Sequence, residues 1–114
     1  MSRHDPVVTV RQMLDHAREA IEMARGRRRE DLDTARMLDL ALVQLLSVIG
    51  RAADNVPEEV QTRHSDVPWK VIADRGGRLI REYNTNDFDA VWSVIHDDLP
   101  LLVEQLEAIV ADEA

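Results

Sequence analysis

The sequence predicts an all-α fold, an antiparallel bundle of four to five helices. Apolar residues recur at three- and four-residue steps in several separate stretches, and no stretch alternates with period two over a useful length. The turns between those stretches are short, which places successive helices side by side and antiparallel. The 114 residues are 45% apolar and 32% charged, the size and composition of one globular domain, taken as residues 1–114.

The first helix follows Asp5-Pro6, an N-cap with proline in the first helical position. Its apolar stripe is Val10, Met13, Leu14, Ala17, Ile21 and Ala24. Gly26 ends it, with Arg25 suited to the negative end of the helix dipole and Arg27 to Arg29 entering the turn. A second helix is expected from about Asp33 to Asp54. Between Met37 and Ile49 it is apolar on nearly every side, interrupted by Asp39, Gln44 and Ser47. Such a helix is buried on more than one face, either as the centre of a monomer or against a second copy.

Residues 55–68 are a connector with start signals at Val56-Pro57-Glu58-Glu59 and Ser65-Asp66-Val67-Pro68. A third helix follows Pro68 with Val71, Ile72, Leu79, Ile80 and Tyr83 on one stripe. Gly76-Gly77 lies in its middle, and each glycine costs about 1 kcal/mol relative to alanine. The expectation is a kinked helix or two short ones. Asn84-Thr85-Asn86-Asp87 forms a turn that caps a short helix at Phe88–Ile95. The last helix begins at Asp97/Asp98 with Pro100 in its first turn. Its Asp98, Glu104, Glu107, Asp112 and Glu113 form a solvated acidic face. The four aromatics, Trp69, Tyr83, Phe88 and Trp92, are expected to complete the core.

Composition narrows the chemistry. Cysteine is absent, which excludes disulfides, thiolate metal sites and cysteine nucleophiles. No run of about 18 apolar residues could cross a bilayer. Ser2-Arg3-His4-Asp5 opens no secretory signal, so a cytoplasmic location is expected. The balance of 22 Asp and Glu against 14 Lys and Arg, a formal −8, opposes broad nonspecific binding to phosphate backbones but leaves room for a local basic site. Arg75, Arg78 and Arg81, spaced by three, read as a basic strip able to grip phosphate, or else to pair with acidic faces of the bundle. His4, His16, His64 and His96 show no metal-ligand spacing beyond His96 beside Asp97 and Asp98, and neither a metal nor a cofactor is expected. Phosphate-loop and serine-elbow motifs are missing.

Several ordered pieces carry a resemblance over nearly the whole chain. They are Asp5-Pro6 with Met13-Leu14-Asp15, and Arg36-Met37-Leu38 with the apolar run to Ile49-Gly50. Arg63-His64, Val67-Pro68-Trp69 and Ile72-Ala73 follow. Then come Arg78-Leu79-Ile80, Glu82-Tyr83, Asp87, Val91-Trp92 and Asp98-Leu99-Pro100-Leu101-Leu102. In this order and spacing the chain resembles the HepT-like family of the HEPN superfamily. The resemblance implies a homodimeric helical bundle and a metal-independent ribonuclease toxin. It also implies an MNT-type nucleotidyltransferase antitoxin as partner.

The family signature is an Arg, four residues, a His, and two residues later a Tyr. The Arg and His act on the RNA backbone, and the Tyr can receive AMP from the antitoxin. Here the catalytic Arg position is Gly76 and the His position is Arg81; only the tyrosine, Tyr83, is kept. Gly77 and Glu82 also depart from the pattern, whereas Arg78 matches a common basic position. An arginine, with its pKa above about 12, cannot serve as a general base near neutrality. The expectation is therefore a degenerate HepT-like protein that binds a nucleotidyltransferase antitoxin and RNA. Arg75, Arg78 and Arg81 would be its phosphate contacts and Tyr83 its AMP acceptor. Two other readings are open. One is an active ribonuclease with a rearranged site using His96 as base. The other is an adaptor or substrate-binding module of a nucleotidyltransferase.

Overall fold

A computed structural model describes residues 6–83 and 88–113. The cap at Asp5 and the turn over 84–87 lie outside the described residues. Among the described residues, seven α-helices follow one another: α1 (Pro6–Ala24), α2 (Asp31–Thr34), α3 (Arg36–Asn55), α4 (Glu58–Arg63), α5 (Trp69–Arg81), α6 (Phe88–Ser93) and α7 (Leu99–Glu113). A π-helical turn, Val94–Asp98, joins α6 to α7. Among the described residues there is no strand, as the single-period apolar pattern requires.

The core forms along α3, which packs on α5 over one face and on α1 over another, while α1 also packs on α7. Val10, Met13 and Ala17 of α1 meet Leu42, Val43 and Ile49 of α3 and Leu106 and Ile109 of α7 in one cluster, each nearly excluded from solvent. Trp69 is buried, and its indole N–H donates to the His64 carbonyl at 3.1 Å. Tyr83, Phe88 and Trp92 pack half-buried against the same core. Gly26 takes φ +76°, the left-handed conformation that ends α1 and that glycine adopts without strain.

Three elements depart from the sequence expectation. First, the second helix begins later: a separate turn, α2, precedes it and seats the fully buried Leu32. Met37 and Leu40 in its expected all-round apolar stretch stay exposed, Met37 at 85%, so the monomer covers only part of that helix.

Second, α5 is one continuous helix despite Gly76-Gly77. The reason is tertiary. Gly50 and Gly76 face each other where α3 crosses α5, and a Cβ built on Gly76 would lie 2.8 Å from the Leu46 carbonyl oxygen and 3.0 Å from the Gly50 Cα. Side-chain-free surfaces let the two backbones touch, and the packing gained outweighs the propensity lost.

Third, the last helix does not start afresh at Asp97/Asp98. The Leu99 N–H bonds to the Val94 carbonyl, five residues back, and the helix runs on through the π turn. Pro100 has no N–H to donate and would crowd the carbonyl four residues before it, so a widened turn just upstream accommodates it.

Candidate functional site

α5 carries Gly76 and Arg81, the two positions at which the resemblance expects the Arg and the His, and its surroundings decide what they can do. On one side of it lies an open, largely apolar groove of about 410 Å³ between α3, α5, the π turn and α7. Leu46, Ile49, Ile72, Leu79 and Leu102 contribute its floor and walls, and Arg75, Asp97 and Asp98 add charge. Arg75 does not project freely there: its Nη1 lies 2.9 Å from Asp98 Oδ2.

Arg75, Arg78 and Arg81 do not make one strip. At 3.6 residues per turn, Arg75 and Arg81 stand about 120° apart around the helix. Arg75 borders the apolar groove, whereas Arg81 lines a separate pocket on the other side of α5. The Arg81 guanidinium lies back along the helix over Gly77, with Nη1 3.0 Å from where a Gly77 Cβ would be. Arg78 is exposed and, among the described residues, has no ion-pair partner. The phosphate contacts expected from spacing alone are thus divided between two faces.

Gly76 is buried at the α3–α5 crossing, where the backbone of Leu46 and Gly50 fills the space a side chain would need. The position where the resemblance expects the arginine therefore has no side chain and no room for one in this packing. Arg81 places a permanent cation where the resemblance expects the histidine.

Tyr83 is half-buried and its hydroxyl donates to the Asp39 carboxylate of α3. Asp39 is only 5% exposed, so the apparent polar interruption in the apolar run is an acceptor inside the protein. Arg36 places its guanidinium carbon 5.1 Å from the Tyr83 ring centre, and Phe88 meets the ring edge-on at 6.4 Å. Burial and the Asp39 contact push the Tyr83 hydroxyl pKa above its ordinary value of 10, with Arg36 acting in the opposite sense. Sequence reasoning missed Asp39 because its partner is 44 residues away.

His96 and His64 stand apart from this site. The exposed His96 ring packs on Trp92 at 4.1 Å, and its Nδ1 lies 3.1 Å from the Trp92 carbonyl oxygen. Val94, Asp97 and Asp98 line the apolar groove, but His96 does not. His64 lies at the far end of α7, with Nε2 2.9 Å from Glu113 Oε2 and 3.6 Å from Asp112 Oδ2. Arg63 donates to both oxygens of Glu113, at 2.7 and 2.9 Å. These contacts hold the Glu113 carboxyl down at about 2.

The acidic face of the last helix is accordingly not left to solvent alone. Glu107 pairs with Arg18 of α1, Glu113 with Arg63, and Asp98 with Arg75. Of the α5 arginines, Arg75 alone is paired in this way among the described residues. No helix among the described residues is long and apolar enough to cross a membrane.

The fold and the motif-bearing helix define a HEPN-type helical domain. Residues 13–109 match the Ribonuclease HepT-like family, and the chain belongs to it. It is 37% identical over 93 residues to the protein named "Putative RNase TTE0752" of Caldanaerobacter subterraneus subsp. tengcongensis, covering 82% of this chain and 83% of that one. It is 28% identical over 100 residues to "Probable ribonuclease HepT" of Thermococcus cleftensis, covering 84% and 91%. A third relative, from Methanocaldococcus jannaschii, is named "Gamma-glutamylcyclotransferase and putative RNase MJ0434". It shares 30% identity over 103 residues, which span 87% of this chain and 46% of the relative. No solved structure matches.

Proposed function

We propose that this chain is the HepT-like member of a toxin–antitoxin pair and has lost the family's ribonuclease chemistry. The observation that carries this is the state of the motif helix: Gly76 is packed against the backbone of α3, and Arg81 replaces the acid/base residue. Removing a positioned acid or base costs roughly 10²–10⁴ in rate, and the phosphate-positioning arginine is missing as well. What the protein retains is binding: to a nucleotidyltransferase antitoxin, to RNA, and to a second copy. Exposed Val71 and Leu101, which border the apolar groove, offer apolar side chains of the kind self-association uses.

Tyr83 remains the acceptor position for AMP, and modification there would require its hydroxyl to leave Asp39. The decisive experiment incubates the purified chain with tRNA and mRNA in chelator, and separately co-expresses it with its neighbouring gene product. Intact RNA, no growth arrest and a stable complex are expected. Metal-independent cleavage would overturn the reading, and its loss on His96→Ala would establish the rearranged ribonuclease instead. Mass spectrometry of the co-expressed chain, with Tyr83→Phe as control, tests the acceptor role.

A further inference from the structure

Opposite the apolar groove, α3 and α5 enclose a second pocket of about 340 Å³. Three of its lining groups are suited to an anion. Arg51 and Arg81 come from the two helices, and both are exposed without a carboxylate partner among the described residues. Ser47 adds a hydroxyl from a residue only 4% exposed. Gly50 and Gly77 line the same pocket. The absence of a side chain at Gly77 is what lets the Arg81 guanidinium lie back over the helix.

The pocket has two unlike ends. Gly50 faces Ile72 and Ala73, and Gly76 faces Leu46, so the helices are antiparallel and their register is fixed. Ser47 therefore lies level with Gly77 and Arg81. One turn beyond Gly50, Asp54 lies level with Lys70 and Ala73, whereas Asp74 lies level with Gly50 and Arg51. Arg51 stands between the two ends. The volume lies near the lower end of the roughly 300–1,000 Å³ typical of small-ligand sites.

We propose that this pocket binds one phosphate group of a ribonucleotide, with Ser47, Arg51 and Arg81 as its ligands. Guanidinium groups donate charge-assisted hydrogen bonds to phosphate oxygens, and the serine hydroxyl supplies one more donor. Asp54 disfavours a second phosphate at the far end, and Asp54 and Asp74 offer acceptors to the hydroxyl or amino groups of the attached nucleoside. The substitution of Arg81 thus converts a position of lost chemistry into a binding contact. Arg51 and Ser47, outside the motif, complete it. This deepens the RNA-binding part of the reading above and is independent of whether RNA is cut.

The test titrates the isotopically labelled full chain with inorganic phosphate, AMP, and single-stranded RNA and DNA of one sequence, following backbone amides by NMR. Shifts should cluster at residues 47–51 and 77–81. Arg51→Ala and Arg81→Ala should each weaken binding about tenfold, a loss of about 1.4 kcal/mol. Ser47→Ala should cost less, and Arg18→Ala should leave binding unchanged. Tighter binding of RNA than of AMP assigns the site to the RNA backbone, and the reverse assigns it to a free nucleotide. No saturable shift at these residues overturns the proposal, as does equal weakening by Arg18→Ala, which would mean nonspecific charge attraction. RNA cleavage would refute the loss of catalysis without touching this site, and absent phosphate binding would do the opposite.

Discussion

Alanine at position 76 separates packing from helix propensity. A Cβ there would sit 2.8 Å from the Leu46 carbonyl oxygen, 3.0 Å from the Gly50 Cα and 3.3 Å from the Gly50 nitrogen. All three are backbone atoms, which cannot rotate away, so α3 and α5 must move apart. Overpacking of this kind costs typically 1–3 kcal/mol, and three backbone contacts argue for the upper end, about 3 kcal/mol. Replacing glycine by alanine in a helix returns about 1 kcal/mol. The expected net loss for Gly76→Ala is about 2 kcal/mol, a large fraction of the roughly 5–15 kcal/mol that holds a domain together.

Gly77→Ala is the matched comparison. Its Cβ would meet only the Arg81 Nη1, at 3.0 Å, the far end of a flexible side chain that can swing clear. This variant should be neutral or more stable by up to about 1 kcal/mol. Urea titration followed by helical circular dichroism measures both. At roughly 4 °C per kcal/mol for a domain of this size, Gly76→Ala should also melt about 8 °C lower. If Gly76→Ala were as stable as Gly77→Ala, the close α3–α5 crossing would be wrong, and with it the reason that position 76 carries no side chain.

Other outcomes follow from the same contacts. The double change Gly76→Arg and Arg81→His rebuilds the motif in sequence but should not yield a nuclease, because an arginine at 76 forces α3 off α5; an RNA cleavage assay beside a denaturation curve shows both effects. Tyr83→Phe leaves the buried Asp39 carboxylate without its donor and should cost about 1–3 kcal/mol by urea titration; an unchanged midpoint would refute the bond. The raised Tyr83 pKa means that its contribution is complete below the ordinary value of 10 and is lost as pH rises through the higher folded value. Ultraviolet titration should place phenolate formation late. Glu113 has the opposite sign: its carboxyl lies near 2 rather than 4.5, so its contribution is complete above 4.5 and fades as pH falls toward 2. Glu113→Gln should flatten that part of the melting-temperature profile.

The helical class and most element positions were legible because they depend on local signals: apolar spacing, Gly26, and the start signal at Val56-Pro57-Glu58-Glu59. The same local logic misjudged α5. Propensity made Gly76-Gly77 a kink or a break, but the partner that offsets its cost, Gly50, is on another helix. Asp39 looked like a polar gap in an apolar run and is the acceptor for Tyr83. The spacing of Arg75, Arg78 and Arg81 suggested one strip, yet spacing alone could not reveal that Asp98 holds the first while the third lies over Gly77. The cluster of Arg63, His64 and Glu113 was likewise invisible, since about 50 residues separate its halves.

The departures at the motif positions are not independent of the rest of the chain. Gly76 fits because position 50 is also glycine; a Cβ on Gly50 would meet the Ile72 carbonyl at 2.9 Å and the Gly76 Cα at 3.0 Å. Gly77 and Arg81 form a second pair, since the guanidinium rests where a larger residue at 77 would project. Random decay of an unused catalytic site would leave unrelated substitutions, each mildly destabilising. Here two of the changes touch and a third is matched by a glycine on the facing helix, so the altered helix is a consistent packing solution. On the proposed reading, that consistency separates the loss of an acid/base from the loss of a role, and it makes binding through Arg51 and Arg81 the property to measure. If the single variants Arg51→Ala and Arg81→Ala weaken phosphate binding and the double variant does no worse than either, the two guanidinium groups act as one site on the same phosphate. Strict additivity would instead mean two separate contacts along a longer ligand.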